Sequence, residues 1–323
     1  MSVPVRIVFF SEINSKLGAP FLEPLTTSPE SELVGLVTSP PGRLCSYFLG
    51  EPDPVDLADH ARRLGVPVLR PEHVNAPAVL LALESLAADY FVVCNYQQIF
   101  KEELLAVPRV TCVNFHPSPL PRYAGLAPFY WMVRHGERDG AVSAIEMTTG
   151  IDSGPLLAQR AMALSGRETT SELRAAQEKA NIEMLHTLLP QLAARSFTRT
   201  PQDETRRTYF GRPTDDDHRI DFAAGAESVS RTVRAAYRHP GAYTHTPDGE
   251  RLTVLKVEPL HSSEPQPPLQ PPGTIRRTTD KTLVATKDAW LHLLTVERTG
   301  EEVPADRLTG RLPQGALLAP RRS

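Results

Sequence analysis

The feature that most constrains the fold is an alternation in the first half of the chain. Short apolar, β-rich runs at residues 5–10, 33–38, 66–69, 90–94 and 109–115 read as strands. Helix-like segments at 54–64, 78–88 and 101–106 separate them, with Asp53 expected to cap the first and Gly65 to end it. Strands and helices in this order require a mainly parallel sheet with helices on its faces, so the expected class is α/β.

The alternation continues with a helix from Pro128 to about Arg134, a strand at 142–147, and a long helix from about Thr169 to Ala194. Thr169 and Glu172 form a capping-box pattern at its start. After Ser196 the texture changes. Residues 198–212 are polar and read as a linker. A helix at 226–237 and short strands at 242–245, 252–257, 274–277, 283–286 and 291–296 then suggest a small β-rich domain. The expected organisation is a first domain at 1–197, a linker at 198–212 and a second domain at 213–323. Residues 264–272, EPQPPLQPP, form a polyproline-II-like insert in a loop of that second domain.

Composition removes several classes of function. The net charge is −3, which supplies no bulk attraction to nucleic acid or anionic membrane. Cys45, Cys94 and Cys112 are an odd set without paired spacing, against a disulfide framework or a cysteine zinc site. Cys94 and Cys112 read as buried thiols. No histidine or acidic cluster has metal-ligand spacing, so no metal is expected. No apolar run reaches the ~20 residues that span a bilayer, and the apolar start is too short for a signal peptide. A cytoplasmic location is expected.

The chemistry concentrates in two short segments. The first is VNFHPSPLPRYAG, residues 113–125. Alternation on a strand points Asn114 and His116 the same way, and Pro117 stops the strand just after them. Both side chains then sit at the C-terminal edge of the sheet, where open α/β sheets bind ligands. The second is TGIDSG, residues 149–154, a tight loop after a strand that carries Asp152. An amide, an imidazole and a carboxylate can polarise a carbonyl and handle the protons of an attacking amine and a leaving nitrogen. Taken singly, His116 is a loop histidine and Asp152 a turn residue; the combination carries the reading. Tyr123, Phe129, Tyr130 and Trp131 read as core, and Asp215 to Asp217 as a solvated turn. Arg321 and Arg322 read as a frayed end.

The first segment resembles the Asn-x-His-x-Ser-x-Leu-Pro signature of the 10-formyltetrahydrofolate-dependent formyltransferases, and Asp152 falls where that family has its aspartate. The family includes methionyl-tRNA, glycinamide ribonucleotide and sugar N-formyltransferases. The resemblance spans nearly the whole chain. It implies a Rossmann-like first domain and an OB-like β-barrel second. It makes Asn114, His116 and Asp152 the catalytic trio and 10-formyltetrahydrofolate the formyl donor. By position it sets Ser118, Pro119, Leu120 and Pro121 along the folate, Gln98, Ile99 and Phe100 at the pterin, and Thr148, Thr149, Gly150 and Ile151 as the opposite wall. Two positions depart from the pattern. Pro119 replaces the usual leucine, and Leu126 stands where sugar-specific relatives carry an arginine.

Charge guides the expected acceptor. Residues 39–55 hold Arg43 against Glu51 and Asp53. Residues 203–323 hold 18 Lys and Arg against 17 Asp and Glu, a net of +1. That is a weak footprint for tRNA. A small or carrier-protein-bound amine, in specialised metabolism, is therefore the expected acceptor, with methionyl-tRNA as the alternative. A formyltetrahydrofolate hydrolase is the second alternative, although the chain begins directly at its first strand without the regulatory domain typical of such enzymes. A non-catalytic tRNA-binding or scaffold protein on the same fold has no reason to keep the trio. The oligomeric state stays open, with a homodimer among the options.

Overall fold

The computed structural model describes residues 3–49, 53–260, 264, 267–298, 300–308 and 312–319. The chain forms two compact units. The first comprises residues 1–128, 139–163 and 174–210; the second comprises 129–138, 164–173 and 211–323.

The first unit is built on a seven-stranded sheet. In chain order its elements are β1 (Val5–Phe10), α1 (Leu22–Thr27), β2 (Ser31–Val37), α2 (Leu57–Arg63), β3 (Val68–Leu69), α3 (Pro77–Ser85), β4 (Tyr90–Val93), α4 (Glu102–Leu105) and β5 (Thr111–His116). There follow β6 (Ala124–Gly125), β7 (Asp139–Glu146), β8 (Leu156–Ala163), α6 (Thr170–Ala193), whose residues 170–173 belong to the second unit, and β9 (Tyr209–Phe210); α5 (Pro128–His135), between β6 and β7 in the chain, belongs from Phe129 onward to the second unit. The strand order is β3-β2-β1-β4-β5-β7-β8. The first five are mutually parallel, while β7 runs antiparallel to β5 and β8 antiparallel to β7. The sheet is thus mainly parallel, with an antiparallel edge.

Both faces of the central parallel strands are covered, which is why β1, β2, β4 and β5 are largely apolar without alternation. Val8, Phe10, Phe91 and Val93 pack with Leu83 of α3 and Leu104 of α4 on one face. On the other, Phe9 stacks on Phe21 at 5.4 Å, and Phe21 meets Phe115 edge-on at 4.9 Å. Tyr90 donates from its hydroxyl to the carbonyl of Leu192 on α6 at 2.8 Å, tying that helix to the central strands. The capping box forms: Glu172 accepts from the Thr169 amide, and the Thr169 hydroxyl accepts from the Glu172 amide.

The local differences from the sequence reading have physical causes. Asp56, not Asp53, caps α2, accepting from the Asp59 amide at 2.9 Å. The helix begins at Leu57, so Asp56 precedes it in the extended conformation a cap needs, while Asp53 lies a further three residues back with φ 54°. The edge strand β8 is not signalled by the sequence, because half of LLAQRAMA is exposed and its apolar residues are interrupted by Gln159 and Arg160. Residues 198–210, read as linker, are part of the first unit, and β9 pairs with β6.

The second unit holds an antiparallel sheet. Its strands are β10 (Ala242–His245), β11 (Arg251–Pro259), β12 (Ile275–Arg277), β13 (Thr282–Ala285), β14 (Trp290–Arg298) and β15 (Glu301–Pro304), with α7 (Ala226–Ala235) before them. The order is β10-β11-β14-β13-β12, with β15 pairing β14. Isolated bridges join Thr274 to Leu317 and His245 to Ala319, so residues 317–319 link the two outer strands. Residues 265 and 266 of the proline-rich run, and Arg321 and Arg322, lie outside the described residues. Among the described residues, no helix is long and apolar enough to cross a membrane.

Burial penalises a charged thiolate, and it pushes the Cys94 and Cys112 thiols well above their ordinary range. Both are 1% exposed. At pH 8 neither should react with a maleimide in the folded protein, and both should react in urea. Mass spectrometry of the labelled chain checks this, and rapid native labelling of either would contradict the burial.

Candidate active site

The site grows out of the end of β5. In register with β7, Asn114 lies opposite Ile145 and His116 opposite Ser143. β7 ends at Glu146, and residues 147–155 loop back to β8. Both ends of that loop are tied to the sheet. The Met147 amide donates to Cys112 O at 2.8 Å, and the Glu146 amide to Pro155 O at 3.0 Å. Asp152 sits within the loop in the left-handed region, with φ 48°. Aspartate tolerates this conformation better than most residues, but it still needs support from its surroundings.

Asp152 receives that support at both carboxylate oxygens. Oδ2 accepts from the Gly125 amide at 2.8 Å. Oδ1 accepts from Asn114 Nδ2 at 3.4 Å and lies 3.7 Å from His116 Nδ1. His116 is 6% exposed. Its Nε2 lies 2.9 Å from Tyr123 O. A carbonyl only accepts, so Nε2 carries hydrogen and Nδ1 is the nitrogen left to exchange a proton beside Asp152. The structure therefore brings Asn114, His116 and Asp152 together.

A cavity of about 130 Å³ opens onto this group. Asn114 and Asp152 line it, together with Gln98, Ile99, Phe100, Thr148, Thr149, Gly150 and Ile151. Val93, Tyr96, Ile145 and Met147 complete the lining. The volume is below the roughly 300–1,000 Å³ of whole-ligand pockets. The cavity's apolar side chains suit the faces of a heterocycle.

Ser118, Pro119, Leu120 and Pro121 do not line this cavity. Ser118 and Leu120 are buried. Ser143 Oγ donates to Ser118 O at 2.7 Å and accepts from the Leu120 amide at 3.3 Å, and Gln159 Nε2 donates to Leu120 O at 2.9 Å. These bonds fasten the segment to β7 and β8. His116 does not line the cavity either; its Nδ1 faces the cavity-lining Asp152. Gly125 and Tyr123 act through backbone groups, which a side-chain pattern does not reveal. Gly125 has φ 96°, and a Cβ there would lie 2.3 Å from Phe210 O, so only glycine fits. No group of acidic, histidine or cysteine side chains among the described residues could hold a metal ion.

The chain matches the formyl transferase family over residues 5–189 and the formyl transferase C-terminal domain over residues 213–309. It is 34% identical over 304 residues to the methionyl-tRNA formyltransferase of Roseiflexus sp. (strain RS-1), covering 93% of this chain and 90% of that one. It is 34% identical over 278 residues to the methionyl-tRNA formyltransferase of Synechococcus sp. (strain JA-2-3B'a(2-13)), covering 84% and 83%. Among solved structures, the sugar 3N-formyl transferase WlaRD, determined with dTDP and 5-N-formyl-THF, superposes with TM-score 0.67 at 14% identity over 92% of this chain and 98% of that one. HypX from Aquifex aeolicus in complex with tetrahydrofolic acid superposes with TM-score 0.63 at 16% identity over 95% of this chain and 47% of that one. These two structural likenesses bear on the fold.

Gly154 tests how tightly the Asp152 loop is held. A Cβ at this position would lie 1.7 Å from Glu146 O. Gly154→Ala should destabilise the protein by about 1–3 kcal/mol, the ordinary cost of overpacking. Urea denaturation measures it, and an unchanged midpoint would show that the loop yields freely.

Proposed function

We propose, for a chain that belongs to the formyl transferase family, that Asn114, His116 and Asp152 pass a formyl group from 10-formyltetrahydrofolate to a primary amine. One observation carries this reading: the two residues where this cavity meets the trio, Asn114 and Asp152, belong to both. Gln98, Ile99, Phe100 and Thr148 to Ile151, which line the slot, would hold the pterin of the donor. When bound, the donor supplies a formyl carbonyl on a nitrogen leaving group.

Asn114 Nδ2 is the donor for the negative charge that develops on the formyl oxygen as the amine adds. Asp152 and His116 Nδ1, 3.7 Å apart, act as a proton-holding pair. The pair takes the proton released by the attacking amine and returns one to the departing folate nitrogen. The C–N bond to the acceptor forms as charge builds on the formyl oxygen, and the C–N bond to the donor then breaks as the folate nitrogen takes the returned proton, so charge and protons balance. Tyr123 O fixes the imidazole tautomer, and the Gly125 amide fixes the carboxylate.

For the acceptor, the curated relatives favour the α-amine of methionyl-tRNA, since those described above bear that name at 34% identity. The sequence expectation that tRNA is the less favoured acceptor finds no support in them. A small or carrier-bound amine is the second reading, and the near-neutral balance of residues 203–323 favours it. Either reaction fits a cytoplasmic enzyme.

Each of Asn114→Ala, His116→Ala and Asp152→Ala should lower kcat about 100-fold or more, the scale of oxyanion and acid–base groups. The assay combines 10-formyltetrahydrofolate with charged methionyl-tRNA or with a panel of amines. It follows tetrahydrofolate release and the mass of the product. A formylated methionyl-tRNA whose KM climbs steeply with salt supports the first acceptor. Product only from small amines supports the second. Donor consumption without any amine would replace transfer by hydrolysis, and a His116→Ala enzyme of normal rate would remove the mechanism.

A further inference from the structure

The segment between the two family matches, which end at residue 189 and resume at 213, does more than connect them. It is fastened to the sheet before it reaches the site. The Arg199 guanidinium pairs with Glu146 at the end of β7. Thr200 and Leu156 exchange backbone hydrogen bonds of 2.8 and 2.9 Å. The chain then grips both loops that touch the trio.

The first grip is on the loop that carries Asp152. Gln202 Nε2 donates to Asp152 O at 2.9 Å and to Gly154 O at 2.7 Å. Both amide hydrogens are used, on carbonyls either side of Ser153. Arg207 donates to Ile151 O at 2.6 Å and to Asp152 O at 3.3 Å. Three backbone carbonyls of the loop, those of Ile151, Asp152 and Gly154, are thus tied from outside. The second grip is on residues 121–126. Thr208 Oγ1 accepts from the Tyr123 amide at 2.8 Å, and Thr208 O accepts from the Ala124 amide at 2.9 Å. The Leu126 amide donates to Phe210 O at 2.8 Å, and Phe210 stacks on Tyr123 at 5.4 Å. This loop supplies the carbonyl under His116 Nε2 and the amide on Asp152 Oδ2.

We infer that residues 199–210 form a strap that sets the geometry of the trio, with Gln202 and Arg207 as positioning residues for the Asp152 carboxylate. This rests on the reading of Asp152 as a catalytic residue. Neither Gln202 nor Arg207 lines the cavity, so both act through the backbone they hold. A left-handed aspartate persists only where its surroundings over-determine it. The strap supplies that from the backbone side, while Gly125, Asn114 and His116 supply it from the side-chain side. Without the strap, the carboxylate loses its fixed place relative to His116 Nδ1, and proton transfer slows.

The test is a double-mutant cycle in the full chain, read as kcat under saturating donor and acceptor. Gln202→Ala should lower kcat about 10- to 100-fold, the range seen when partners of site residues are removed. Gln202→Met, which keeps the volume without the donors, should do the same if the alanine variant folds poorly. In an Asp152→Asn background, already strongly impaired, Gln202→Ala should change the rate by less than roughly two-fold, because groups acting as one unit are non-additive. Arg207→Ala should follow the same pattern. A wild-type rate in both Gln202→Ala and Gln202→Met overturns the strap. So does a Gln202 effect that multiplies fully with Asp152→Asn, since general loosening of the fold would act in either background. A normal rate in Asp152→Asn alone would instead remove the reading of the trio on which the strap depends.

Discussion

The arrangement depends on one carboxylate held in an awkward place. Asp152 adopts a left-handed backbone, and its two oxygens face an amide side chain, an imidazole and a backbone amide. Each of these contacts fixes something besides Asp152. Asn114 is thereby aimed at the slot, the ring of His116 keeps one face toward the carboxylate, and residues 121–126 are drawn in through Gly125. Take the carboxylate away, and an amide, a ring and a loop lose their common reference point. A sheet edge alone would place Asn114 and His116, but it could not set the third group.

The surroundings of that carboxylate explain why its neighbours are so restricted in kind. Gly125 cannot carry a side chain because Phe210 O stands where a Cβ would be, and Gly154 cannot because Glu146 O does. Ser143 and Gln159 bond the peptide groups of Ser118 and Leu120, so the proline-stiffened run after His116 is pinned against β7 and β8. A rigid run here keeps Tyr123 O under the imidazole. Loops usually carry function with mobility; in this site the loops are anchored at many backbone points, and the ligand slot lies between them and the strand ends.

Much of this was legible in the sequence, and the limits are physical. The trio could be found because Asn114 and His116 are neighbours on one strand, stopped by Pro117, and because Asp152 lies in a glycine-flanked turn after a strand. The parallel core was legible from apolar runs such as those of β1 and β4. β8 and β15 were not, because EEVP is largely exposed, and LLAQRAMA is half exposed with its apolar residues interrupted by Gln159 and Arg160. The run from Ser118 to Pro121 matches the family pattern; its peptide groups are bonded to β7 and β8, and its residues are not among those lining the cavity. Gln202 and Arg207 were hidden for another reason. Their partners are backbone carbonyls about fifty residues away, and a polar stretch bound to carbonyls looks like any solvated connection.

The bridges made by residues 317–319 have a consequence for the second unit. An antiparallel sheet ends in two strands whose outer peptide groups could recruit a strand from another molecule. Here β10 is bridged through His245 to Ala319, and β12 is bonded through Ile275 to Gly315 and Ala316, with Thr274 just before it bridged to Leu317. Residues 315–319 guard both borders at once. Proteolytic clipping ahead of Gly315 would leave the first unit's sequence intact while baring two sticky seams, so such a fragment should be lost to self-association before it is lost to unfolding.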